Sequence, residues 1–436
     1  MTTFDPFAFT RSVSGALLRG DVDSAENAVA NAIGNRDLEE THYRIVFARR
    51  LIREYRKQAD RQSALMRKEP EGRLELVRAS PGSRPPIPGL PARLTPDTGQ
   101  GCYEVSRDAD PLYDRLDLAR LSDREDAALL AKAGFDKPAA VVEKDRIFVE
   151  EGCRLSVLGH DDSTMVTADG RFHPSRSGRI AKVSGSILAR IPTRRIPEAL
   201  ILPFPHSPGN YFHALSEMVY GLRHAALVSR DTPIIYDEDR FSLLPLFAEA
   251  LDIAPARLVT LKSMKDCLVE KAYLPDSPPF YWSRSFFDFF RSVALRLFPE
   301  ETERAPIYVS RQKSSRAAAY ETRLQEELRD RGFRILHTQD MSVRDQIGAF
   351  RDASFVVAPH GAGLANVAFS PRQLKVVEIF NPEMISPDFH QRLKYLSQGY
   401  GPVVATGDDT VARVLRLVDT PPGSWQDGRG RSPGRS

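Results

Sequence analysis

A glycine-rich turn in the last third of the chain offers the clearest chemistry. In ASFVVAPHGAGLANVAF an apolar, strand-like run leads into His360, Gly361, Ala362 and Gly363, and the pattern predicts a helix from there through Asn366. Glycines let a ligand approach the backbone closely, and the first turn of a helix presents unpaired N–H groups at the positive end of its dipole. The segment therefore predicts an anion site suited to a diphosphate, with the His360 imidazole as a further donor. An ordinary strand-to-helix turn is the alternative.

Charged residues follow two other predicted strands of the same region. The run PIYVS ends at Arg311, with Lys313 and Arg316 close behind it, and the run LKVVEIF carries Glu378 near its end. Ligands of open α/β sheets bind at the edge where the carboxyl ends of the strands meet. Arginine suits phosphate because its guanidinium donates hydrogen bonds in pairs, and a carboxylate can accept from ribose hydroxyls. A solvated charge run, and an ion pair between Glu378 and Arg311, are the alternatives.

A second candidate group lies upstream in SPGNYFHALSEMVYGL. His213 and Glu217 are four residues apart on a predicted helix, so they share a face. Either side chain could be a base that removes a proton from a hydroxyl group, and the other could orient it or bind an acceptor. Asn210 could contact the same molecule, and the alternative is that His213 and Asn210 bond the loop before the helix.

Three other motifs are weighed against this interpretation. A dinucleotide fingerprint requires a third glycine where Asn366 stands. The oxyanion loop of lipases resembles HGAG, but the sequence contains no G-x-S-x-G nucleophile motif. Asp237 and Asp239 in TPIIYDED have the spacing of a metal-binding D-x-D, although acidic residues after a strand are usually solvated. We expect no metal cofactor.

The segment pattern predicts an α/β protein of two doubly wound domains with separate cores and a helical N-terminal appendage. The predicted divisions are a helical region (1–79), a proline-rich linker (80–100), two Rossmann-like domains (101–295 and 296–418) and a disordered tail (419–436). The aromatic run FYWSRSFFDFFRSVALRLF predicts a long helix that packs across the domain interface.

One N-terminal helix is unusually basic. Its apolar side chains are four apart at Tyr43, Phe47, Leu51 and Tyr55, and its other faces carry Arg44, Arg49, Arg50, Arg53, Arg56 and Lys57. A solvated face is the favoured interpretation, and peripheral docking on a membrane or partner protein is the alternative.

Composition narrows the partners and the compartment. The 61 basic and 58 acidic residues leave a formal net charge of only +3, which argues against a nucleic-acid partner. Cys102, Cys153 and Cys267 form no C-x-x-C pair, so neither a disulfide framework nor a thiolate metal site is expected. With no apolar run near the ~18 residues of a membrane span, a cytoplasmic protein is expected.

Four sequence blocks resemble glycosyltransferase family 61, the group of capsular-polysaccharide and related transferases. They are SPGNYFHALSEMVYGL, IYVSRQKSSR, SVRDQIGAFRDASFVVAPHGAGLANVAFSP and VVEIF, within roughly residues 145–400. The third block is the specific one. The chain departs from the family pattern at Tyr320-Glu321, where the family often has R-x-x-N-E, and at Glu217, where aspartate is commoner.

The resemblance implies a GT-B fold, with two Rossmann-like domains facing a cleft, and inversion at the anomeric carbon. It also implies a nucleotide-sugar donor held by the second domain, a saccharide or lipid-linked acceptor, and a bacterial enzyme of surface polysaccharide synthesis. The family block favours Glu217 over His213 as the base. A metal-dependent GT-A transferase and a non-catalytic nucleotide-sugar-binding scaffold are the alternatives.

Overall fold

The computed structural model describes residues 22–34, 115–138, 145–158, 194–205, 209–264, 267–275, 282–300, 302–312, 318–407 and 409–421. It also describes short strands at 95–96, 102–106, 162–166 and 172–177 and ten single positions between 9 and 56. Those ten positions and residues 22–34 are helical, as predicted for the N-terminal region. Lys313, Arg316, most of the basic helix, most of the linker and the end of the tail lie outside the described residues.

The strands are β1 (Thr95–Pro96), β2 (Cys102–Ser106), β3 (Asp145–Leu158), β4 (Asp162–Val166), β5 (Phe172–Ser177), β6 (Arg194–Ile201), β7 (Ile234–Tyr236), β8 (Leu258–Thr260), β9 (Cys267–Pro275), β10 (Ala305–Val309), β11 (Arg334–Leu336), β12 (Ala353–Pro359), β13 (Leu374–Phe380) and β14 (Ser397–Val404). The α-helices are α1 (Val22–Gly34), α2 (Leu118–Leu121), α3 (Arg124–Ala133), α4 (Tyr211–His213), α5 (Leu243–Leu251), α6 (Leu261–Met264), α7 (Arg284–Leu297), α8 (Glu321–Asp330), α9 (Val343–Arg351), α10 (Asp388–Leu393) and α11 (Thr410–Asp419). A π-helical segment (Ala214–Val219) continues α4, and 3₁₀ helices occupy Leu222–Leu227, Pro255–Arg257, Thr338–Asp340 and Ala362–Phe369.

The C-terminal sheet is parallel throughout. Its five strands lie in the order β11-β10-β12-β13-β14, and helical segments connect them. The apolar runs of β12 and β13 are buried almost completely, as expected for strands covered on both faces. The order of the strands reverses between β10 and β12, because the connection after β10 leads to β11 on one side and the connection after β12 leads to β13 on the other. A crevice at that switch point is where ligands of such sheets bind.

The N-terminal sheet is only partly the parallel sheet that the sequence predicts. Its nine strands include the path β1-β2-β3-β9-β6-β7-β8, with β4 and β5 extending from β3. Strands β9, β6, β7 and β8 are parallel neighbours, whereas β1 to β5 pair antiparallel and β3 pairs antiparallel with β9. Parallel neighbours need crossover connections of a dozen or more residues, and the chain between β3, β4 and β5 is too short for them. The doubly wound prediction is therefore wrong for this half of the sheet.

Helix α7 joins the two sheets through one continuous hydrophobic cluster. Its apolar face includes the buried rings of Phe286, Phe289 and Phe290. The Phe290 ring centroid lies 5.6 Å from that of Phe247 beneath the first sheet and 5.5 Å from that of Phe369 beside the second. The prediction that this helix packs across the interface is confirmed. The expectation of two separate cores is wrong, because the largest cluster extends over both sheets.

Residues 115–138 precede most of the first sheet in sequence but pack against the second. Arg413 of α11 forms a buried ion pair with Asp126 of α3, and Lys394 Nζ donates to the Lys137 carbonyl at 3.1 Å. The Phe135 ring lies 5.3 Å from the His390 ring. The sequence does not predict this long-range contact.

Two further sequence expectations concern thiols and membranes. Cys153 and Cys267 are buried on the paired strands β3 and β9. In the described part of the chain, no helix has both the length and the hydropathy needed to cross a membrane.

The ion pair of α11 with α3 gives a test of this packing. We expect Arg413→Met to lower the free energy of unfolding by about 3 to 5 kcal/mol, because it leaves the Asp126 carboxylate buried without its partner. The matched variant Arg331→Met, at a half-exposed pair with Glu327, should cost less than about 1 kcal/mol. Urea unfolding measures both.

The same variant should respond to pH. Burial raises the pKa of the Asp126 carboxyl and Arg413 opposes that effect, so without Arg413 the carboxyl takes up a proton more readily. The stability deficit of Arg413→Met should therefore shrink as the pH falls towards the ordinary pKa of 3.8. Equal losses in the two arginine variants would contradict a structural role for this ion pair.

Candidate active site

The glycine-rich turn lies at the carboxyl edge of the C-terminal sheet, where the sequence predicts it, and the structure adds that β12 borders the switch point. Its first residue extends the parallel pairing, because the His360 N–H donates to the Ile379 carbonyl at 2.8 Å. The expected α-helix is a 3₁₀ helix, Ala362–Phe369. The side chain of Asn366 donates to the Gly363 carbonyl, an acceptor that an α-helix would use for its own amide. Gly361 is the N-cap residue of this helix and has no side chain that could accept from the amides of the first turn.

Gly361 and Arg311 meet at this turn. Gly361 has a φ of 153°, which residues with a side chain rarely adopt. A Cβ atom added there would lie 1.4 Å from Nη2 of Arg311 and 2.6 Å from its Cζ, so the guanidinium occupies the space of the missing side chain. The structure therefore brings Arg311 and the turn together, as predicted.

A buried acid holds the backbone that carries Arg311. The Arg311 N–H donates to Glu321 Oε1 at 3.1 Å, and the Ser310 hydroxyl donates to Glu321 Oε2 at 3.0 Å. Glu321 begins α8 and is 2% exposed. No role for this residue follows from the sequence motifs, although an acid in the first turn of the helix after β10 is a visible signal.

His360 is paired with Glu378 beneath the turn. The His360 Nδ1 atom lies 2.6 Å from Glu378 Oε1, and the Tyr400 hydroxyl donates to Glu378 Oε2. Glu378 has no exposed surface, and both of its oxygens are engaged. The partners of Glu378 in this structure are His360 and Tyr400 instead of Arg311, and its contact with a ribose stays a prediction.

His213 and Glu217 form a second pair of the same kind. The His213 Nδ1 atom lies 2.6 Å from Glu217 Oε1, and the side chains are 24% and 8% exposed. The helix widens directly after His213 into the π-helical segment Ala214–Val219, a rare form that is frequent at functional sites. Asn210 caps α4, since its Oδ1 accepts from the Phe212 N–H at 3.0 Å, which is the structural alternative for that residue.

Asn366 connects α4 with the turn. Its Oδ1 accepts from the Tyr211 hydroxyl at 2.6 Å, and its Nδ2 donates to Gln346 Oε1 at 2.9 Å. Burial raises the pKa of Tyr211, which keeps its hydroxyl as a donor. Asn366 has no exposed surface. In this structure its side chain joins the two parts of the site, and its contact with a donor stays a prediction.

Phe389 lies between the two histidine–glutamate pairs. Its ring centroid is 5.8 Å from that of Phe212, the neighbour of His213, and 6.1 Å from that of His360. The guanidinium of Arg392 lies 4.7 Å over the Phe212 ring. The two pairs therefore belong to one site, although 147 positions separate the histidines in the sequence.

Asp239, the second acid of the D-x-D candidate, has a structural role. Both oxygens of Asp239 accept backbone N–H groups at the start of α5, from Leu243 at 3.0 Å and from Leu244 at 2.7 Å. This is the arrangement of a helix cap and not of a carboxylate that faces a ligand. Within the described ranges, no three His, Cys, Asp or Glu side chains are grouped as metal ligands would be.

The α/β fold of two sheets, with Arg311 and the glycine-rich turn at the carboxyl edge of the second sheet, fits an α/β glycosyltransferase. Residues 201–377 match the family model Glycosyltransferase 61, so this chain carries a domain of that family and is a glycosyltransferase. The match confirms the resemblance and favours the enzyme over a non-catalytic scaffold. It includes His213, Glu217, Arg311 and His360, whereas Glu378 and Tyr400 lie beyond its end. No curated protein matches the sequence.

The two glycines of the turn should respond differently to the same substitution. We expect Gly361→Ala to weaken nucleoside-diphosphate binding roughly 10- to 100-fold, because the new methyl group displaces the Arg311 guanidinium and removes one or two charged hydrogen bonds. Gly363→Ala is the control, since its Cβ would make ordinary contacts of 3.6 Å with Thr338 and 3.7 Å with Val309. Titration calorimetry measures the affinity. Equal affinities in the two variants would separate Arg311 from the binding site.

Proposed function

We propose that the protein is an inverting glycosyltransferase of the GT-B type, with its nucleotide-sugar donor at the C-terminal sheet. The observation that carries the proposal is the pair of histidine–glutamate contacts on either side of Phe389. The His360–Glu378 pair lies at the glycine-rich turn, and the His213–Glu217 pair lies on the helix that begins with α4. A transferase needs both a group that stabilises a leaving diphosphate and a group that accepts a proton.

The donor half of the site supports binding of a diphosphate. Arg311 supplies a fixed positive charge over the turn, and Ala362 and Gly363 supply amides at the start of the 3₁₀ helix. His360 supplies its Nε2 atom, because Nδ1 faces Glu378. These groups stabilise the negative charge that develops on the diphosphate as the bond from the sugar breaks. Arg316, which follows Arg311 in sequence, is a further candidate for the same role.

The acceptor half supports His213 as the base, with Glu217 behind it. The resemblance to the family favours Glu217, but that carboxylate is almost buried and bonded to the more exposed imidazole. A carboxylate on Nδ1 holds the proton there and leaves the Nε2 lone pair available. His213 Nε2 takes the proton of the acceptor hydroxyl as its oxygen attacks the anomeric carbon. The bond to the diphosphate breaks on the opposite face, and its electron pair leaves with the nucleoside diphosphate, which inverts the anomeric centre.

The acceptor class proposed from the family resemblance is a saccharide or lipid-linked saccharide of surface polysaccharide synthesis, used in the cytoplasm. The guanidinium, imidazole and amide groups of the donor half take the role that a divalent cation has in metal-dependent transferases. The use of Asp239 as a helix cap supports this proposal over a GT-A enzyme with a D-x-D motif.

The division of labour between His213 and Glu217 can be tested by two substitutions. His213→Asn keeps an amide near the Nδ1 position but deletes Nε2, so we expect turnover to fall about 10²- to 10⁴-fold. Glu217→Gln should lower turnover less, because the base remains. Donor affinity should change little in both variants, since the lost groups act on the acceptor. A larger loss of turnover in Glu217→Gln, measured by steady-state kinetics, would assign the base to the carboxylate.

Metal dependence separates the proposed mechanism from the GT-A alternative. A thermal-shift panel of nucleotide sugars first identifies the donor, because a ligand that binds only the native state raises the unfolding temperature. Sugar transfer from that donor should then persist in excess EDTA, and Asp237→Asn with Asp239→Asn should retain donor affinity. Activity that disappears in EDTA and returns with Mn²⁺ or Mg²⁺ would contradict the assignment of the donor site to the turn.

A further inference from the structure

Tyr400 begins a series of hydrogen-bonded polar groups that ends at the donor turn. Its hydroxyl donates to Glu378 Oε2, and the other oxygen of that carboxylate lies 2.6 Å from His360 Nδ1. Tyr400 and Glu378 have no exposed surface, whereas the His360 side chain is 16% exposed. The series therefore leads from β14 through β13 to the one member that faces the crevice.

A buried carboxylate such as that of Glu378 is unusual in a strand with the composition of β13. Its other inward side chains are apolar, among them Val376, Val377 and Ile379, which have almost no exposed surface. A carboxylate in such surroundings is costly unless its oxygens are hydrogen-bonded. Tyr400 supplies one of those bonds and His360 supplies the other. An apolar residue would fill the same space without this cost, so packing alone does not account for Glu378.

Aromatic rings restrict the movement of both ends of the series. The Phe380 ring stacks on His360, with centroids 5.2 Å apart and an angle of 30° between the planes. The Tyr400 ring lies 5.2 Å from His390 and 6.3 Å from Phe135, which comes from the segment that packs back from the first half of the chain. Burial and the nearby Lys394 lower the pKa of His390 well below its usual range, so that ring contributes no positive charge beside Tyr400. The phenol is therefore held in position by packing while its hydroxyl is committed to the carboxylate.

We propose that Tyr400 is a positioning residue for donor binding, which acts through Glu378 to keep the His360 ring turned with Nε2 towards the diphosphate. Glu378 fixes the proton on Nδ1, and the hydroxyl of Tyr400 fixes the rotation of the carboxylate about its terminal bond. Loss of the hydroxyl frees that rotation and leaves a buried oxygen without its donor. The imidazole then loses its fixed orientation. This inference rests on the proposed function, because it assumes that the turn binds a diphosphate.

A double-mutant cycle with inorganic pyrophosphate as the probe tests the proposal. Tyr400→Phe removes only the hydroxyl, and His360→Asn keeps an amide towards Glu378 while it removes Nε2. Each single variant should raise the dissociation constant for pyrophosphate on the order of 10-fold, the effect of losing one hydrogen bond to a charged group. The double variant should bind as His360→Asn alone does, because Tyr400 has no effect once Nε2 is absent. Calorimetry gives the affinities, and thermal unfolding checks that each variant is folded.

Tyr273→Phe is the matched control. It also removes a hydroxyl from a buried tyrosine that donates to a glutamate, Glu198 at 3.4 Å, but in the N-terminal sheet. Its affinity for pyrophosphate should equal that of the unsubstituted protein. If Tyr400→Phe does not fold, Glu378→Gln takes its place in the cycle, because an amide keeps the volume but offers only one acceptor oxygen to two donors.

The outcomes separate the inference from the function on which it rests. Independent effects that multiply to about 100-fold in the double variant, or no effect of Tyr400→Phe, would show that Tyr400 does not act through His360. Both results would leave the donor site in place. Failure of the unsubstituted protein to bind pyrophosphate and nucleoside diphosphates would overturn the donor site itself, and the inference with it.

Discussion

The reversal of strand order between β10 and β12 determines where the proposed anion site lies. Both strands are covered on two faces, so only the polar residues that follow them, at the carboxyl edge of the sheet, can meet a ligand. Arg311 arrives there from one strand and His360 from the other. The two approach closely only because residue 361 has no side chain, since a Cβ atom would lie 1.4 Å from the guanidinium. The charge at the site therefore depends on a backbone position as much as on the charged residue.

The geometry of the site also depends on the hydrophobic core that the two sheets share. Helix α7 contributes its aromatic face to both, and Asn366 ties α4 to the turn through the Tyr211 hydroxyl. Because Asn366 is fully buried and bonded at both ends of its amide, loss of either partner leaves a buried polar group unsatisfied. The position of His213 relative to the turn is thus set by packing and hydrogen bonds within the protein, before any substrate is present.

Local spacing predicts those parts of the site that depend on one segment. The strand-to-turn pattern around Gly361, the cation after β10 and the four-residue spacing of His213 and Glu217 each come from neighbours in sequence, and the structure shows all of these elements. The contacts that local spacing does not predict depend on register or on residues distant in sequence. Glu378 has the sequence features of a strand-end ligand, but the pairing of β13 with β14 places Tyr400 against it and buries it. Asn366 has a partner 155 residues away, and the return of residues 115–138 to the second sheet has no local signal.

The two histidine–glutamate pairs share one bond geometry but differ in what surrounds them. Each has Nδ1 and Oε1 at 2.6 Å, which orients the ring and leaves Nε2 as the working atom. His213 ends α4 directly before the π-helical segment, and in the proposed mechanism its Nε2 takes the proton of the acceptor hydroxyl. His360 precedes Gly361, which lies against the Arg311 guanidinium, and the 3₁₀ helix begins at Ala362. In the proposed mechanism these groups attract an anion, and His360 Nε2 donates a hydrogen bond to it. In the proposed mechanism the same pair of side chains therefore acts as a base in one half of the site and as a hydrogen-bond donor in the other, and the difference comes from the neighbouring charges.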